Sequence, residues 1–301
     1  MSSTMYIGID LGGTNVRAAL VDDAGHIHHI VKRDSKALES ADIIIENLIN
    51  CITSIPDYQS AKGIGLGVPG PVDVKSGRMF MATNIPALTM YPLKEVLEKR
   101  LSIPVFLDND ANVAGLAEAL VGAGKDKDVI YYVTQSTGIG GALIVNGQIV
   151  SGRVGHAGEI GNLIIDPHRA SINHLNDGAV ENEASGTALI RKAQKFIDPT
   201  INSAKDLFIL SETNEVAKRI VETMAHDLGV MFSFIAHIVD PDAFIIGGGV
   251  SKSSEYYLEL MKQAYASKVH KPLANTPFLK AQLDEPGLVG AAMLPKSQGV
   301  K

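Results

Sequence analysis

The chain has 301 residues, 46% apolar and 20% charged, a composition that suits a soluble globular protein with room for two domains. Lysine and arginine number 27 against 33 aspartates and glutamates, and the net charge of −6 argues against an electrostatic nucleic-acid footprint while leaving backbone amides free to hold an anion. The single cysteine, Cys51, excludes an intrachain disulfide and a cysteine-based zinc site; no apolar run reaches the ~18 residues of a membrane helix, and Met1-Ser2-Ser3-Thr4 has no leader character, so the expected location is the cytoplasm.

In chain order, Tyr6–Ile9 reads as a strand, Asp10-Leu11-Gly12-Gly13-Thr14-Asn15 as a tight glycine turn, and Val16–Val21 as the returning strand. Asp22-Asp23-Ala24-Gly25 closes this unit, so residues 5–31 read as paired strands. Residues 39–55 place Ile43, Ile44, Leu48 and Ile52 at helical spacing. Gly63–Val68 is a strand that must end at Pro69-Gly70-Pro71. A short amphipathic helix is expected at 92–101, a strand at Val105–Leu107 with Asp108-Asn109-Asp110 at its end, and a helix at Ala111–Leu120 stopped by Gly122 and Gly124.

The second half opens by repeating the first. Val129–Val133 leads into Ser136-Thr137-Gly138-Ile139-Gly140-Gly141, then Ala142–Val145 and a closing Asn146-Gly147 turn. A loop-rich stretch covers roughly 151–180, and helical patterning resumes near Ser185. A long helix is expected over Glu212–Val239, with Val216, Ile220, Met224 and Leu228 on one stripe and Asp240-Pro241 as its stop. Ala243–Ile246 is a strand leading to Gly247-Gly248-Gly249, and the last helix begins near Gly287 and runs through Leu288, Ala291 and Ala292. A strand, a glycine turn and a returning strand drawn twice imply an α/β protein of two related domains that share a nucleotide, and hence phosphoryl transfer. The boundary is expected near residue 113.

Adjacent glycines let backbone approach a phosphate, Thr14 adds a hydroxyl, and Asp10 is positioned to hold Mg²⁺ through water. Alone, this turn reads equally as a hairpin turn with a solvated aspartate; the second copy at 136–141 favours phosphate binding. Gly65-Leu66-Gly67-Val68-Pro69-Gly70 matches a dinucleotide fingerprint only formally, since Pro69 and Pro71 forbid the helix it must open. Gly122-Ala123-Gly124-Lys125 lacks the earlier glycine and the following hydroxyl of a P-loop. Asp108-Asn109-Asp110 is the best source of a base, although Asn109 or Asp110 also reads as a plain helix N-cap. Gly155-His156-Ala157-Gly158-Glu159-Ile160-Gly161 makes a polar, backbone-dense loop suited to a polyol, to which Glu181 can add a carboxylate. Gly247-Gly248-Gly249-Val250-Ser251 suits an adenine or ribose against backbone, and reads nearly as well as a loop leading into a helix.

Together these segments resemble a sugar kinase of the ROK family, within the actin-like/hexokinase ATPase superfamily. The markers are Ile9–Thr14, Gly67–Asp73, Asp108–Asn112, Ser136–Gly141, Gly155–Gly161, Ile246–Ser251 and Gly287–Ala292, so the resemblance covers about residues 5–295. It implies two ribonuclease H-like domains flanking a cleft: residues 1–113, completed by a C-terminal helix at 287–301, and residues 114–286. It implies Asp110 as general base and Asn84, Asn109, His156, Glu159 and Glu181 as sugar ligands, although Thr83 stands where the family has a proline. Gly12, Gly13, Thr14, Thr137 and Gly138 would hold the ATP phosphates, and Gly247, Gly248 and Gly249 the adenosine.

The resemblance also implies a departure. Where family members place a zinc-binding histidine and three cysteines, this chain has Asn162, Ile172, His174 and Ala179, so no structural zinc is expected and the ordering of 166–180 is left without a cause. The expected activity is ATP- and Mg²⁺-dependent phosphorylation of a hexose, foremost O6 of glucose, by a protein that, like its relatives, forms a homodimer and needs neither nucleic acid nor membrane. N-acetylmannosamine, fructose, mannose or a β-glucoside are alternative substrates. A non-catalytic sugar sensor or regulator is the alternative from another class: a repressor is disfavoured because the Asp10 turn leaves no room before it for a DNA-binding domain, and a sugar-binding protein without activity because Asp110 and both phosphate turns are intact.

Overall fold

The computed structural model describes residues 3–300; Met1 and Ser2 of the N-terminal stretch, and Lys301 at the end of the expected final helix, lie outside the described residues. The chain begins with three strands, β1 (Met5–Leu11), β2 (Asn15–Asp22) and β3 (Ile27–Asp34), followed by helix α1 (Ala41–Thr53) and β4 (Ile64–Val68). A small hairpin of β5 (Val72–Asp73) and β6 (Arg78–Met79) precedes α2 (Leu93–Leu101), β7 (Val105–Asn109) and α3 (Asp110–Val121). Then come β8 (Val129–Gln135), β9 (Ile139–Val145) and β10 (Gln148–Ile149). Four helices follow, α4 (Val180–Ala184), α5 (Gly186–Phe196), α6 (Ala204–Leu210) and α7 (Glu215–Val239). The chain ends with β11 (Ala243–Gly247), α8 (Leu258–Ala266), β12 (Phe278–Lys280) and α9 (Pro286–Ser297).

Two five-stranded sheets share one plan. The first has the order β3-β2-β1-β4-β7, the second β10-β9-β8-β11-β12. In the first, β2 runs antiparallel to β1 and β3, while β4 runs parallel to β1 and β7. In the second, β10 is antiparallel to β9, and β11 is parallel to β8 and β12. Each sheet is therefore a hairpin-connected half joined to a crossover-connected half, as a repeated α/β unit requires.

By contacts the chain divides into two compact units: one of residues up to Asp128, Ala142–Gly158 and Gln282 onward, the other of Val129–Gly141 and Glu159–Ala281. The boundary expected near 113 falls inside α3, whose continuous hydrogen-bonded turns keep 114–121 with the residues before them. In the first unit α9 lies directly on the sheet. A Cβ on Gly65 would fall 1.8 Å from the Ala291 carbonyl oxygen, and one on Gly290 would fall 1.6 Å from the Val113 carbonyl oxygen, so glycine alone permits this approach. The strap leading into α9 is pinned by buried Glu118, whose Oε1 accepts from the amides of Gln282 and Leu283, both at 2.9 Å.

Local pattern and structure part company at two helices. In α1 the buried face is Ile44, Ile45, Leu48, Ile49, Cys51 and Ile52, whereas Ile43 is 46% exposed. The long helix starts at Glu215 rather than Glu212 because Asn214 caps it, its Oδ1 accepting from Val216 and Ala217. In the second unit, Phe232, Phe244, Tyr265 and Phe278 form an edge-and-face aromatic cluster beneath β11 and β12, with centroids 4.9–5.9 Å apart. Among the described residues no helix is long and apolar enough to cross a membrane.

Candidate active site

In the first unit the turn between β1 and β2 is closed by the Gly12 amide donating to the Asn15 carbonyl at 3.0 Å, and the Ser35 amide donates to the Thr14 carbonyl at 3.0 Å. Gly13 and Thr14 are exposed and Gly12 is half-buried, so the turn presents backbone to solvent. Asn84 lies beside it: a Cβ on Gly13 would come within 3.0 Å of the Asn84 Cβ. Asp10 sits opposite Arg17 in the antiparallel register, and Arg17 bridges two carboxylates at 2.5 Å each, Asp10 by Nη2 and Glu285 by Nη1. Arg17 was not singled out from the sequence, yet once Leu11 pairs with Val16, Asp10 must face Arg17.

Parallel pairing carries this row across the sheet. Asp10 aligns with Gly67 on β4, and Gly67 with Asp108 on β7, two strand spacings away, roughly 10 Å. The Asp108-Asn109-Asp110 run divides its labour. Asp108 is 3% exposed; its Oδ1 accepts from the Asn109 amide at 2.8 Å and from Asn112 Nδ2 at 2.7 Å, and its Oδ2 accepts from Ser151 Oγ at 3.3 Å. Burial pushes its carboxyl up, and these donors offset only part of that. Asn109 is the N-cap of α3: its Oδ1 accepts from Ala111 at 2.8 Å and Asn112 at 3.4 Å, and its Nδ2 donates to the Gly70 carbonyl at 3.3 Å. Asp110, the first residue of α3, is exposed, and its Oδ1 accepts from the Ala111 amide at 2.8 Å. The positive end of a helix favours a carboxylate at this position.

Ser151 ties the loop that bears His156 to this run. His156 is exposed, and its Nδ1 lies 3.0 Å from the Val154 carbonyl. A carbonyl only accepts, so Nδ1 carries the hydrogen, the tautomer in which Nε2 is an acceptor.

In the second unit the turn between β8 and β9 is held from several sides. The Ser136 amide donates to the Gly138 carbonyl at 2.9 Å, and at the start of α5 the amides of Gly186 and Thr187 donate to the carbonyls of Ser136 and Thr137 at 2.8 and 3.3 Å. Glu181 Oε2 accepts from the Ile139 amide at 2.8 Å. Glu181 and Thr137 are thus brought to one turn, and Gly138 lies against the Glu181 carboxylate, where a Cβ would fall 2.5 Å from Oε2. The Glu181 amide donates to the Gly161 carbonyl at 3.0 Å, linking it to the segment that carries exposed Glu159. Burial and the Glu159 charge together push the Tyr131 hydroxyl well above its ordinary range.

Gly247, Gly248 and Gly249 leave the end of β11 beside the same turn, with Gly247 in register with Thr134. Gly248 adopts a φ of +90°, and a Cβ there would lie 2.3 Å from the Gln135 carbonyl oxygen. Buried Gln135 donates from Nε2 to the Ala184 carbonyl at 2.7 Å and accepts from the Tyr257 hydroxyl at 2.8 Å. Gln135 lay outside the residues singled out from the sequence; a polar residue ending a buried strand was the available signal. Among the described residues no group of three or more His, Cys, Asp or Glu is placed to hold a metal ion. Asn162 accepts at Oδ1 from the Asn176 amide at 2.7 Å, which draws the two ends of the long loop together.

A family model described as ROK family matches residues 6–298. A glucokinase of Halalkalibacterium halodurans is 31% identical, with 99% of this chain and 97% of that protein covered. The ROK hexokinase of Thermus thermophilus superposes with a TM-score of 0.84 at 31% identity, covering 96% of this chain and 97% of that one. A ROK family glucokinase from Streptomyces griseus, solved with glucose and AMPPNP, gives a TM-score of 0.80 at 30% identity over 98% of this chain and 100% of that one.

Proposed function

The chain belongs to the ROK family and has the actin-like ATPase fold of its kinases, and we propose that it transfers the γ-phosphoryl group of ATP to a hexose hydroxyl, foremost O6 of glucose, with Mg²⁺ accompanying the nucleotide. The observation that carries this reading is the repeated hairpin: two sheets of one strand order, each opening a glycine-hydroxyl turn at the same place. The Halalkalibacterium and Streptomyces proteins, named as glucokinases, support it.

Phosphoryl transfer needs positioning, charge stabilisation and a group to receive the alcohol proton. Asp110 is the exposed carboxylate of its run and takes that proton as the sugar oxygen attacks phosphorus and the bond to the β-phosphate oxygen breaks. Buried Asp108 is unsuited, because donors already meet both of its oxygens. Asn109 meets a sugar through its amide nitrogen, since its Oδ1 caps α3. His156 offers Nε2 as an acceptor, Glu181 offers the oxygen that does not bind Ile139, and Glu159 and Asn84 complete the hydroxyl contacts. The amides of Gly12, Gly13, Thr14, Thr137 and Gly138 cradle the phosphates, while Gly247, Gly248 and Gly249 lie against the adenosine.

For Mg²⁺ this donor set offers Asp10, one carboxylate already paired with Arg17, which would hold the ion through water. When bound, the ion neutralises phosphate charge. An ADP-release assay over glucose, mannose, fructose, N-acetylmannosamine and a β-glucoside tests the reading. Glucose is expected to give the highest kcat/KM. ATP turnover with no sugar dependence, or no turnover, would favour a sugar sensor.

A further inference from the structure

The long loop between β10 and α4 has little regular structure: within it, Ile164 and Ala179 form an isolated bridge. One of its side chains nevertheless reaches the interior. Arg169 makes a bidentate bond to Asp227 of α7, Nη1 to Oδ2 at 2.6 Å and Nη2 to Oδ1 at 2.9 Å, and the Asp227 side chain is 2% exposed. Arg169 Nη1 also lies 3.3 Å from Glu183 Oε2, and its Nε donates to Asp166 at 3.2 Å. Glu183 in turn accepts from Lys192 of α5 at 2.7 Å. The hydrogen bond to Asp227 drives the guanidinium even further into its charged form.

This network closes on α4, a helix of only five residues. Such a helix has almost no intrinsic stability, so its placement depends on what holds it. Glu183 faces the Arg169 and Lys192 cations, while Glu181, two residues earlier, reaches the Ile139 amide at the glycine turn. Asn182, between them, donates from Nδ2 to the Ile172 carbonyl of the loop at 2.9 Å, and its own carbonyl accepts from Arg191. A loop arginine anchored on the 25-residue α7 is therefore linked, through one short helix, to a candidate sugar ligand and the turn that ligand supports.

We propose that Arg169 is a positioning residue: clamped on Asp227 and Glu183, it sets α4 so that the Glu181 carboxylate stands against the 136–139 turn with one oxygen left for a sugar hydroxyl. The sugar-binding half of this statement rests on the kinase reading above; the placement of Glu181 does not. Lysine keeps the charge of Arg169 but cannot form the bidentate fork, which makes Arg169→Lys the informative variant. Expected in the full-length protein is a rise of about tenfold in glucose KM with kcat within about twofold, a split that mere loss of folded protein cannot produce. Hydrogen exchange in the 136–140 peptide is expected to accelerate. In a Glu181→Ala background the same lysine change should add less than about twofold to the KM, because both act through one carboxylate.

An unchanged glucose KM with unchanged exchange at 136–140, or independent effects of the two substitutions, would overturn the proposal. Should Arg169→Lys fail to fold, Asp227→Asn, which keeps the shape and weakens the same fork, is read in the same way. Should the unmodified protein phosphorylate no hexose, the kinase reading fails by itself, and hydrogen exchange alone decides the role of Arg169.

Discussion

Between β1 and β2 the chain turns at Gly12–Thr14, with Asp10 paired to the arginine directly across the same hairpin. Between β8 and β9 it turns at Ser136–Gly138 against Glu181, 42 residues beyond Ile139, and the first amides of α5. The outer turns differ as well. Asp22 organises the first, its Oδ1 accepting from the amides of Ala24 and His26 and its Oδ2 from the rings of His26 and His28. Asn146 and Gly147 make the second by adopting φ values of +50° and +69°. A duplicated strand order has thus been stabilised once chiefly by charge, reaching from the hairpin to Glu285, and once by hydrogen bonds with elements packed around it. Both turns present two exposed residues; the first is backed by an ion pair that runs from Asp10 through Arg17 to Glu285, the second by hydrogen bonds to Glu181 and the start of α5.

The largest expected effect tests whether the proton acceptor belongs to the first unit. Asp110→Asn should lower kcat more than about a hundredfold while calorimetric glucose binding changes by less than about threefold. Near-normal turnover would remove Asp110 as the base. Next comes the packed surround of the second turn. Gly248→Ala forces a side chain into the left-handed region and against a backbone oxygen, and should cost about 3 kcal/mol in a denaturant titration. Gly12→Ala, whose Cβ would meet its nearest atom at 3.4 Å, should cost under about 1 kcal/mol. Equal losses would dissolve the contrast between the two turns.

The pH dependence should be carried by the first outer turn. Burial alone would raise the Asp22 carboxyl, but hydrogen bonds from His28, His26 and Ala24 outweigh it and hold it at about 2, below its ordinary 3.8. A depressed carboxyl contributes stability that is fully present above 3.8 and disappears as pH falls through about 2. A profile of unfolding free energy against pH, from denaturant titrations, should therefore fall by up to about 2 kcal/mol over that window, and Asp22→Asn should flatten it. A mutant profile that keeps the same acid limb would assign the limb to other carboxylates. The smallest effect is expected at Arg17, whose pairs with Asp10 and Glu285 are about one-third exposed. Arg17→Met should change stability by no more than about 1 kcal/mol, yet raise the KM for ATP severalfold, because two carboxylates would then face incoming phosphates unscreened. A lower KM would mean that Arg17 instead obstructs the nucleotide.

Much of the site was legible because its signals are local. Apolar runs on either side of Gly12–Gly13 and Gly138 read as hairpins whatever lies elsewhere, and Asn109 or Asp110 before an alanine-rich helix reads as a cap, a place that Asn109 takes. The misplaced Ile43 shows where local pattern fails: three consecutive isoleucines are compatible with more than one helical stripe, and packing chose Ile44 and Ile45. Nor does anything in the residues of α3 say that 114–121 group with the residues before them, as they do by contact.

The sequence by itself determined the two glycine turns, the carboxylate at the head of α3 and many of the strands and helices, though not β5, β6, α6, α8 or β12. Each of these depends on residues within a turn or two of one another, where backbone sterics and hydrogen-bonding capacity decide. Only the tertiary structure decided that Arg17 bridges to Glu285, that Ser151 meets Asp108, and that Arg169 and Asp227 hold the helix bearing Glu181. Those partners lie 268, 43 and 58 residues apart, and a charge acquires a partner at such separation only after burial of the intervening chain has brought the two together.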